Sequence, residues 1–307
     1  MITSFFNKSK PVNFVIVFLI TLLAFIVAKT HMGYDAITGG FLFKQALLLL
    51  VAYSSILLLN FVVGKNSLSK KNHYELLLFS LFFLTIVETT NEAEVLLANF
   101  FVLLALRRLL SVRSQRELKK KYFDAAFWIA VASLFYFWVI LFFVLILASL
   151  VLYSDNNIRH WVVPFLGVAA VFVISVAASV IFYGGFFNVF DLSLQVDFDF
   201  SKYNSTKFLI AITLLLSFGL WSLFFYIRNI KQKKKSNRTT LKTVVLAAVI
   251  GFVIVLLTPN KNGSEFLFLF APLAVVVSNY IESISEKWFR EVFLGVLIIV
   301  PFVLLML

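Results

Sequence analysis

Apolar runs of 13 to 23 residues recur from Asn13 to Leu307, each bounded by a Lys/Arg cluster or a short polar loop. In lipid such runs must be helices, because every backbone N–H and C=O needs a partner inside its own segment. A closed barrel would need alternating strands, and no such alternation is visible. The runs predict spans at about 13–28, 45–63, 75–87, 95–110, 161–183, 207–227, 243–257, 265–281 and 290–307. Between the fourth and fifth of these stands "DAAFWIAVASLFYFWVILFFVLILASLVLYSD", residues 124–155, with thirty consecutive positions that carry no formal charge. As one helix it would be roughly 45 Å long, against a hydrocarbon core of about 30 Å. That is long for one crossing and short for two.

Charge decides between them. Cytoplasmic loops carry an excess of Lys and Arg. If the segment crosses once, "RNIKQKKKSNRTTLK" (228–242), with seven Lys/Arg and no acid, lies outside and the bases divide 15 inside to 12 outside. If it crosses twice, they divide 22 to 5. The expectation is therefore a pair of short helices, roughly 123–135 and 136–153, breaking near "SLFYFW", with Phe135, Tyr136 and Trp138 at the outer interface. The competing reading is one long tilted helix. Two crossings give an all-α polytopic membrane protein of about eleven helices, N-terminus cytoplasmic and C-terminus outside, forming a single domain over 1–307. Short spans are tolerated where neighbours bury their ends or the bilayer thins.

Composition agrees: 62% of residues are hydrophobic and 14% charged, against about 25% charged in soluble domains. The net charge of +12 invites a nucleic-acid reading, which the placement of the bases between hydrophobic spans argues against; they serve topology and contact with anionic lipid. With no cysteine, disulfides and thiolate metal sites are excluded. Lys8 and Lys10 before an apolar stretch imitate a signal peptide, but "KTHMGYDAITGG" offers no clear small-x-small cleavage site, so an uncleaved first helix is expected.

Sidedness then gathers the outer loops 29–44, 88–94, 184–207 and 258–265 on one face and the basic loops 107–121 and 228–242 on the other. The outer loops hold eight of the fifteen acids: Asp35, Glu88, Glu92, Glu94, Asp191, Asp197, Asp199 and Glu265. The bland account is a solvated polar rim with acids at helix N-termini, where negative charge is favoured. The sharper account makes Asp35, partly desolvated at the membrane surface, a general base toward a hydroxyl. In "ETTNEAE", Glu88 and Glu92 would share a face if the preceding helix continues, and the three grouped acids Glu88, Glu92 and Glu94 could share a proton, hold a divalent cation or hydrogen-bond sugar hydroxyls. "TPNKNGSE" places Lys261 at a helix start whose free N–H groups could receive a phosphate, or else is a turn capped by Asn262 or Ser264. The loop 184–207, with "VDFDFSKY", is a surface lid or a connector.

The succession "LLANFFVLLALRRLLSVR", "KKKYFDAAFWIAVASLFYFWVILFFVLILASLVL", "IRHWVVPFLGVAAVFVISVAASVIFYGG" and "SEFLFLFAPLAVVVSNYIE" resembles the GT-C class of membrane glycosyltransferases. The resemblance implies a first outer loop with a catalytic acid, a basic inner loop, a pair of short helices and a late helix with a Pro-Leu turn, here Pro272 and Leu273. It implies catalytic roles for Asp35, Glu92 and Glu94, binding of the lipid phosphate by Lys44 or Lys261, and a polyprenyl-phosphate-linked sugar as substrate at the outer face of the bacterial inner membrane. No cofactor and no metal site is read from the residues. The first loop here carries one acid in place of the usual pair, and no large soluble domain follows. The whole chain also resembles a polytopic membrane family of Bacteroidota. The rival reading is a non-catalytic subunit that scaffolds an envelope or secretion complex through membrane protein partners.

Other classes lack their residues. Membrane di-iron and carotenoid-cleaving oxygenases need several helix-borne histidines, and the chain has His31, His73 and His160 at loops or span ends. Ion-coupled carriers keep ionisable groups at mid-membrane, whereas every Asp, Glu, Lys and Arg here falls in a loop or within about a turn of a span end. Phosphate-binding loops, dinucleotide turns and nucleophile elbows are absent.

Overall fold

The computed structural model describes residues 2–8, 10–30, 38–70, 72–153, 157–187, 195–259 and 261–306; of 235 and 236 it describes the backbone. Among these residues there are twelve α-helices and no strand. A five-residue α1 (Ile2–Phe6) precedes α2 (Pro11–Val27), α3 (Gly39–Asn66), α4 (Tyr74–Thr85), α5 (Ala93–Leu110) and α6 (Leu118–Phe135). Then come α7 (Phe143–Leu152), α8 (Ile158–Tyr183), α9 (Thr206–Ile230), α10 (Lys235–Leu257), α11 (Leu267–Ser283) and α12 (Lys287–Leu304).

Local chemistry sets several boundaries. The side chains of Thr38, Asn157 and Ser205 accept hydrogen bonds from the N–H groups of Phe41, Arg159 and Phe208, opening α3, α8 and α9, each satisfying a donor that has no partner within the helix. Gly184, at φ 68°, closes α8 in the left-handed conformation that glycine reaches without strain.

Six helical stretches are long and apolar enough to cross a membrane: Gly39–Asn66, Ala93–Ser114, Ile158–Tyr183, Thr206–Ile230, Asn237–Leu257 and Ser264–Ser283. Pro11–Val27, Tyr74–Thr85 and Phe137–Leu152 are apolar but shorter. α6 and α12 are as long as a span, but Lys119, Lys120, Lys121 and Asp124 charge the start of one and Lys287, Arg290 and Glu291 the start of the other. The chain is thus an all-helical membrane protein.

The long uncharged segment is not one helix. α6 stops at Phe135, Tyr136 is extended (φ −147°, ψ 103°), and a 3-10 stretch, Phe137–Phe142, leads into α7. Its direction reverses there. Tyr122, early in α6, has its ring 6.4 Å from His160 in the first turn of α8, and Tyr153, just past α7, lies 3.2 Å from the Thr240 hydroxyl near the start of α10. The turning point is at the other end, with Tyr136 5.3 Å from Phe268 at the start of α11.

Long-range bonds tie together two ends of the bundle. At the basic end, Glu291 accepts from Thr3, the Asn72 amide and Lys70 N–H donate to Glu282, Arg113 reaches the Asn66 carbonyl, and Arg108 pairs with Asp124 at 2.8 Å. At the opposite end Lys29 donates to Asn91, Asn262 to Glu92, and Lys261 to the carbonyls of Asp197 and Thr258.

The centre is α4 with α11. Every residue of α4 is buried, and most of α11 is, as expected of helices apolar on all sides. Phe270 of α11 sits 5.6 and 6.0 Å from Phe82 and Phe83 of α4, centroid to centroid. Gly251 lets α10 approach α11 so closely that a Cβ there would lie 2.8 Å from the Phe268 carbonyl oxygen, and Gly167 does the same for α8 against Phe123 of α6. Pro272 and Leu273, expected at a turn, lie inside α11.

Candidate functional site

The acidic end carries a polar cleft. After α4 the chain makes a 3-10 turn, Val87–Thr90, and starts α5 one residue past Glu92. Glu88 and Glu92 therefore do not share a helical face; α4 ends before either, at Thr85. Glu92 stands at the α5 N-cap position and Glu94 in its first turn, both exposed. There the helix dipole favours their charge. With Tyr136 and Trp138 from the hairpin tip, and Asn262 and Ser264 from the α10–α11 connection, they line a cleft of about 320 Å³. The Trp138 indole N–H is buried without a hydrogen-bond partner, and buried donors are rarely left so.

Asn262 holds one wall. Its amide donates to Glu92 Oε1 at 3.2 Å, and its Oδ1 accepts from Ser264 N–H and Oγ at 2.9 and 2.6 Å. The loop is thus a capped turn, with Gly263 at φ 94° packed against Phe208. Its N–H at Ser264 is already used.

Lys261 is 1% exposed. Its ammonium donates to the carbonyls of Asp197 and Thr258, the latter at 2.8 Å, and lies 4.7 Å over the Phe200 ring. Burial pushes its pKa down, and the Asp197 and Asp199 carboxylates oppose that. The charge expected to receive a lipid phosphate instead pins the segment around Asp197 against the end of α10; Asp197 N–H adds a bond to the Leu257 carbonyl. Asp199 in turn accepts from Ser201 N–H and Oγ, which hold its carboxyl below the usual range.

A different lysine reaches the cleft's edge. Lys29, just beyond α2, donates to the Asn91 side chain beside Glu92. Burial lowers its pKa, the Glu92 carboxylate raises it, and Lys44 lowers it again. Lys29 also lines a second cleft, of about 660 Å³, whose walls are Phe25, Ile26, Phe41, Leu42 and Leu49 of α2 and α3. Lys44 is exposed on the second turn of α3 rather than in a loop, and does not line it. Asp35 and Asp191 lie outside the described residues.

Two carboxyls went unread as buried groups. Glu265, at the start of the α11 span, and Glu75, in the first turn of α4, are each 1% exposed with one oxygen lacking a partner. For Glu75 the signal was available: it directly precedes "LLLFSLFFL", and a short apolar run surrounded by longer ones is a candidate for the centre of the bundle. Among the described residues no group of three His, Cys, Asp or Glu could hold a metal ion.

These features define a helical membrane protein with a basic end, an acidic end and two clefts at the latter. The chain belongs to the family of unknown function DUF6427, whose model matches residues 5–306. No curated protein and no solved structure matches it.

Proposed function

We propose that this protein handles a polyprenyl-phosphate-linked sugar at the outer face of the bacterial cytoplasmic membrane. In this reading the helices α2 to α12 make eleven crossings, with α6 and α7 as the short pair. The basic end faces the cytoplasm, because five bases only, Lys29, Lys44, Lys202, Lys207 and Lys261, belong to the acidic end out of 27.

The observation that carries the reading is Lys29, which lines the apolar cleft and lies within electrostatic reach of Glu92 in the polar one. One wall of the apolar α2–α3 cleft is Lys29, and its hydrogen-bond partner Asn91 adjoins Glu92 of the polar cleft. A prenyl chain fits the apolar cleft, a phosphate the ammonium of Lys29 with Lys44 nearby, and a sugar the carboxylates and aromatic rings beyond. For glycosyl transfer, Glu92, Glu94 or Asp35 takes the proton of the acceptor hydroxyl. The acceptor oxygen bonds to the sugar's anomeric carbon, and the bond from that carbon to the lipid phosphate breaks, leaving its electron pair on the phosphate.

The test uses the purified full-length protein in nanodiscs with undecaprenyl phosphate and its glycosylated form, retained lipid being read by native mass spectrometry. Lys29→Gln is expected to lower retention of both lipids about tenfold, the loss of one charge-assisted contact. Glu92→Gln is expected to weaken only the preference for the glycosylated form. Equal retention by wild type and both variants would refute the reading, and a tightly co-purifying membrane protein in its place would favour the scaffolding role.

A further inference from the structure

The basic end contains a polar pocket that the proposed function leaves unused. It measures about 260 Å³ and opens where the ends of α9 and α11 meet the start of α10 and the connection after α3; Lys70, Tyr226, Asn229, Lys233, Asn279 and Glu282 line it. The carboxylate in this set is already occupied. Glu282 accepts from Lys70 N–H at 3.0 and 3.1 Å and from the Asn72 amide at 2.5 Å. The ammonium groups of Lys70 and Lys233 both lie within electrostatic reach of Glu282, yet neither closes an ion pair with it; the ion pair found among the described residues is Arg108–Asp124. Two cations thus border a concave space, balanced by one carboxylate whose oxygens are bonded elsewhere.

A second observation is independent of charge. Tyr226 lines this pocket at 3% exposure, and its hydroxyl is buried with no hydrogen-bond partner. Buried hydroxyls are normally satisfied. Keeping bases on the cytoplasmic side for topology accounts for Lys70 and Lys233 but gives no reason for a concavity between them or for an unpartnered hydroxyl in its wall. The surrounding chain adds Arg228, Lys231 and Lys234, so the local potential draws anions.

We infer that this pocket binds a phosphate-bearing group on Lys70, Lys233 and the Tyr226 hydroxyl, either the phosphodiester of an anionic membrane lipid or a free phosphoryl compound. Phosphate supplies several acceptor oxygens, for the two ammonium groups on the α3–α4 and α9–α10 connections and for the α9 hydroxyl that has no partner in the protein. Asn229 and Asn279 complete the wall, with the Asn279 amide held by the Val275 carbonyl at 2.9 Å.

The experiment places the full-length protein in phosphatidylcholine nanodiscs and measures retained phosphatidylglycerol by native mass spectrometry. In parallel, inorganic phosphate and glycerol phosphate are titrated while the melting temperature is followed. Wild type is expected to prefer phosphatidylglycerol, or to be stabilised by the soluble phosphates, and which response occurs identifies the source of the phosphate. The double variant Lys70→Gln/Lys233→Gln is expected to lose that response about tenfold or more and Tyr226→Phe severalfold, both melting like wild type in phosphatidylcholine alone. Lys70→Arg/Lys233→Arg, which keeps the charges, is expected to restore it. Lys231→Gln, exposed and outside the pocket, is the control. Equal loss from Lys231→Gln would show diffuse attraction to a basic surface and overturn the site, as would no response to either ligand or no effect of Tyr226→Phe.

Discussion

Adding a single methyl at Gly251 tests whether α10 and α11 touch backbone to backbone. An ideal Cβ at this position would lie 2.8 Å from the Phe268 carbonyl oxygen and 3.1 Å from Leu269 Cα. Neither neighbour is a flexible side chain that can turn aside. α11 cannot retreat as a unit either, since Phe268 to Val277 are all buried. Overpacking of this kind costs about 1–3 kcal/mol. Alanine is meanwhile the better helix former by roughly 0.5–1 kcal/mol, which blurs the reading of one variant alone. Gly295 on α12 removes that ambiguity, because a Cβ there meets nothing within 4 Å. The difference between Gly251→Ala and Gly295→Ala cancels the helix-propensity gain and leaves the steric cost, about 1–3 kcal/mol. The assay is unfolding by sodium dodecyl sulfate in mixed micelles, followed by the fluorescence of the five tryptophans. Gly295→Ala should be at least as stable as wild type and Gly251→Ala clearly less so. Equal stability of the two would refute the close α10–α11 contact.

Three further outcomes follow from the same structure. Because the chain has no cysteine, single substitutions report sidedness directly: Lys202→Cys should react with an impermeant maleimide in intact cells and Lys234→Cys only after lysis. Labelling of Lys234→Cys from outside would remove a crossing from the α6–α7 pair. His73 precedes α4 with its Nδ1 3.2 Å from the Asn13 amide nitrogen, and burial lowers its pKa below 6.5. The unfolded chain therefore takes up that proton first, so the His73 contribution to stability is complete above pH 6.5 and is lost as pH falls below it toward the folded value. In His73→Gln the part of the acid dependence within that window should vanish from melting curves taken between about pH 5 and 8. Asp124→Asn should change stability by less than about 1 kcal/mol in the same detergent titration, since the Arg108–Asp124 pair is 36% and 22% exposed.

Much of the fold was legible because lipid leaves few choices. The break near "SLFYFW" occurs at the residue expected, Phe135, and the chain doubles back there to bring Tyr153 beside Thr240. Helix ends were less legible. α3 begins at Gly39 and α10 at Lys235, well outside the apolar runs, since Thr38 caps the first and a helix does not stop where the hydrocarbon does. The site was legible only in part. Glu92 and Glu94 do meet one cleft, but Lys261 is held by a carbonyl 64 residues away at Asp197, a pairing no local pattern announces. Lys29 went unremarked for the same reason: its importance comes from Asn91, 62 residues on.

The brevity of α4 bears on how the chain is made. Twelve residues rise roughly 18 Å, well under the thickness of the hydrocarbon core. A newborn segment of that size cannot rest alone in lipid without drawing its polar flanks inward. α2 and α3 cover part of its surface, and the rest is enclosed by α11 and α12, translated nearly two hundred residues later. Until the ribosome delivers them, the face of α4 that α2 and α3 leave open must be sheltered by the insertion machinery, so truncation before α11 should leave a product that membrane quality control degrades.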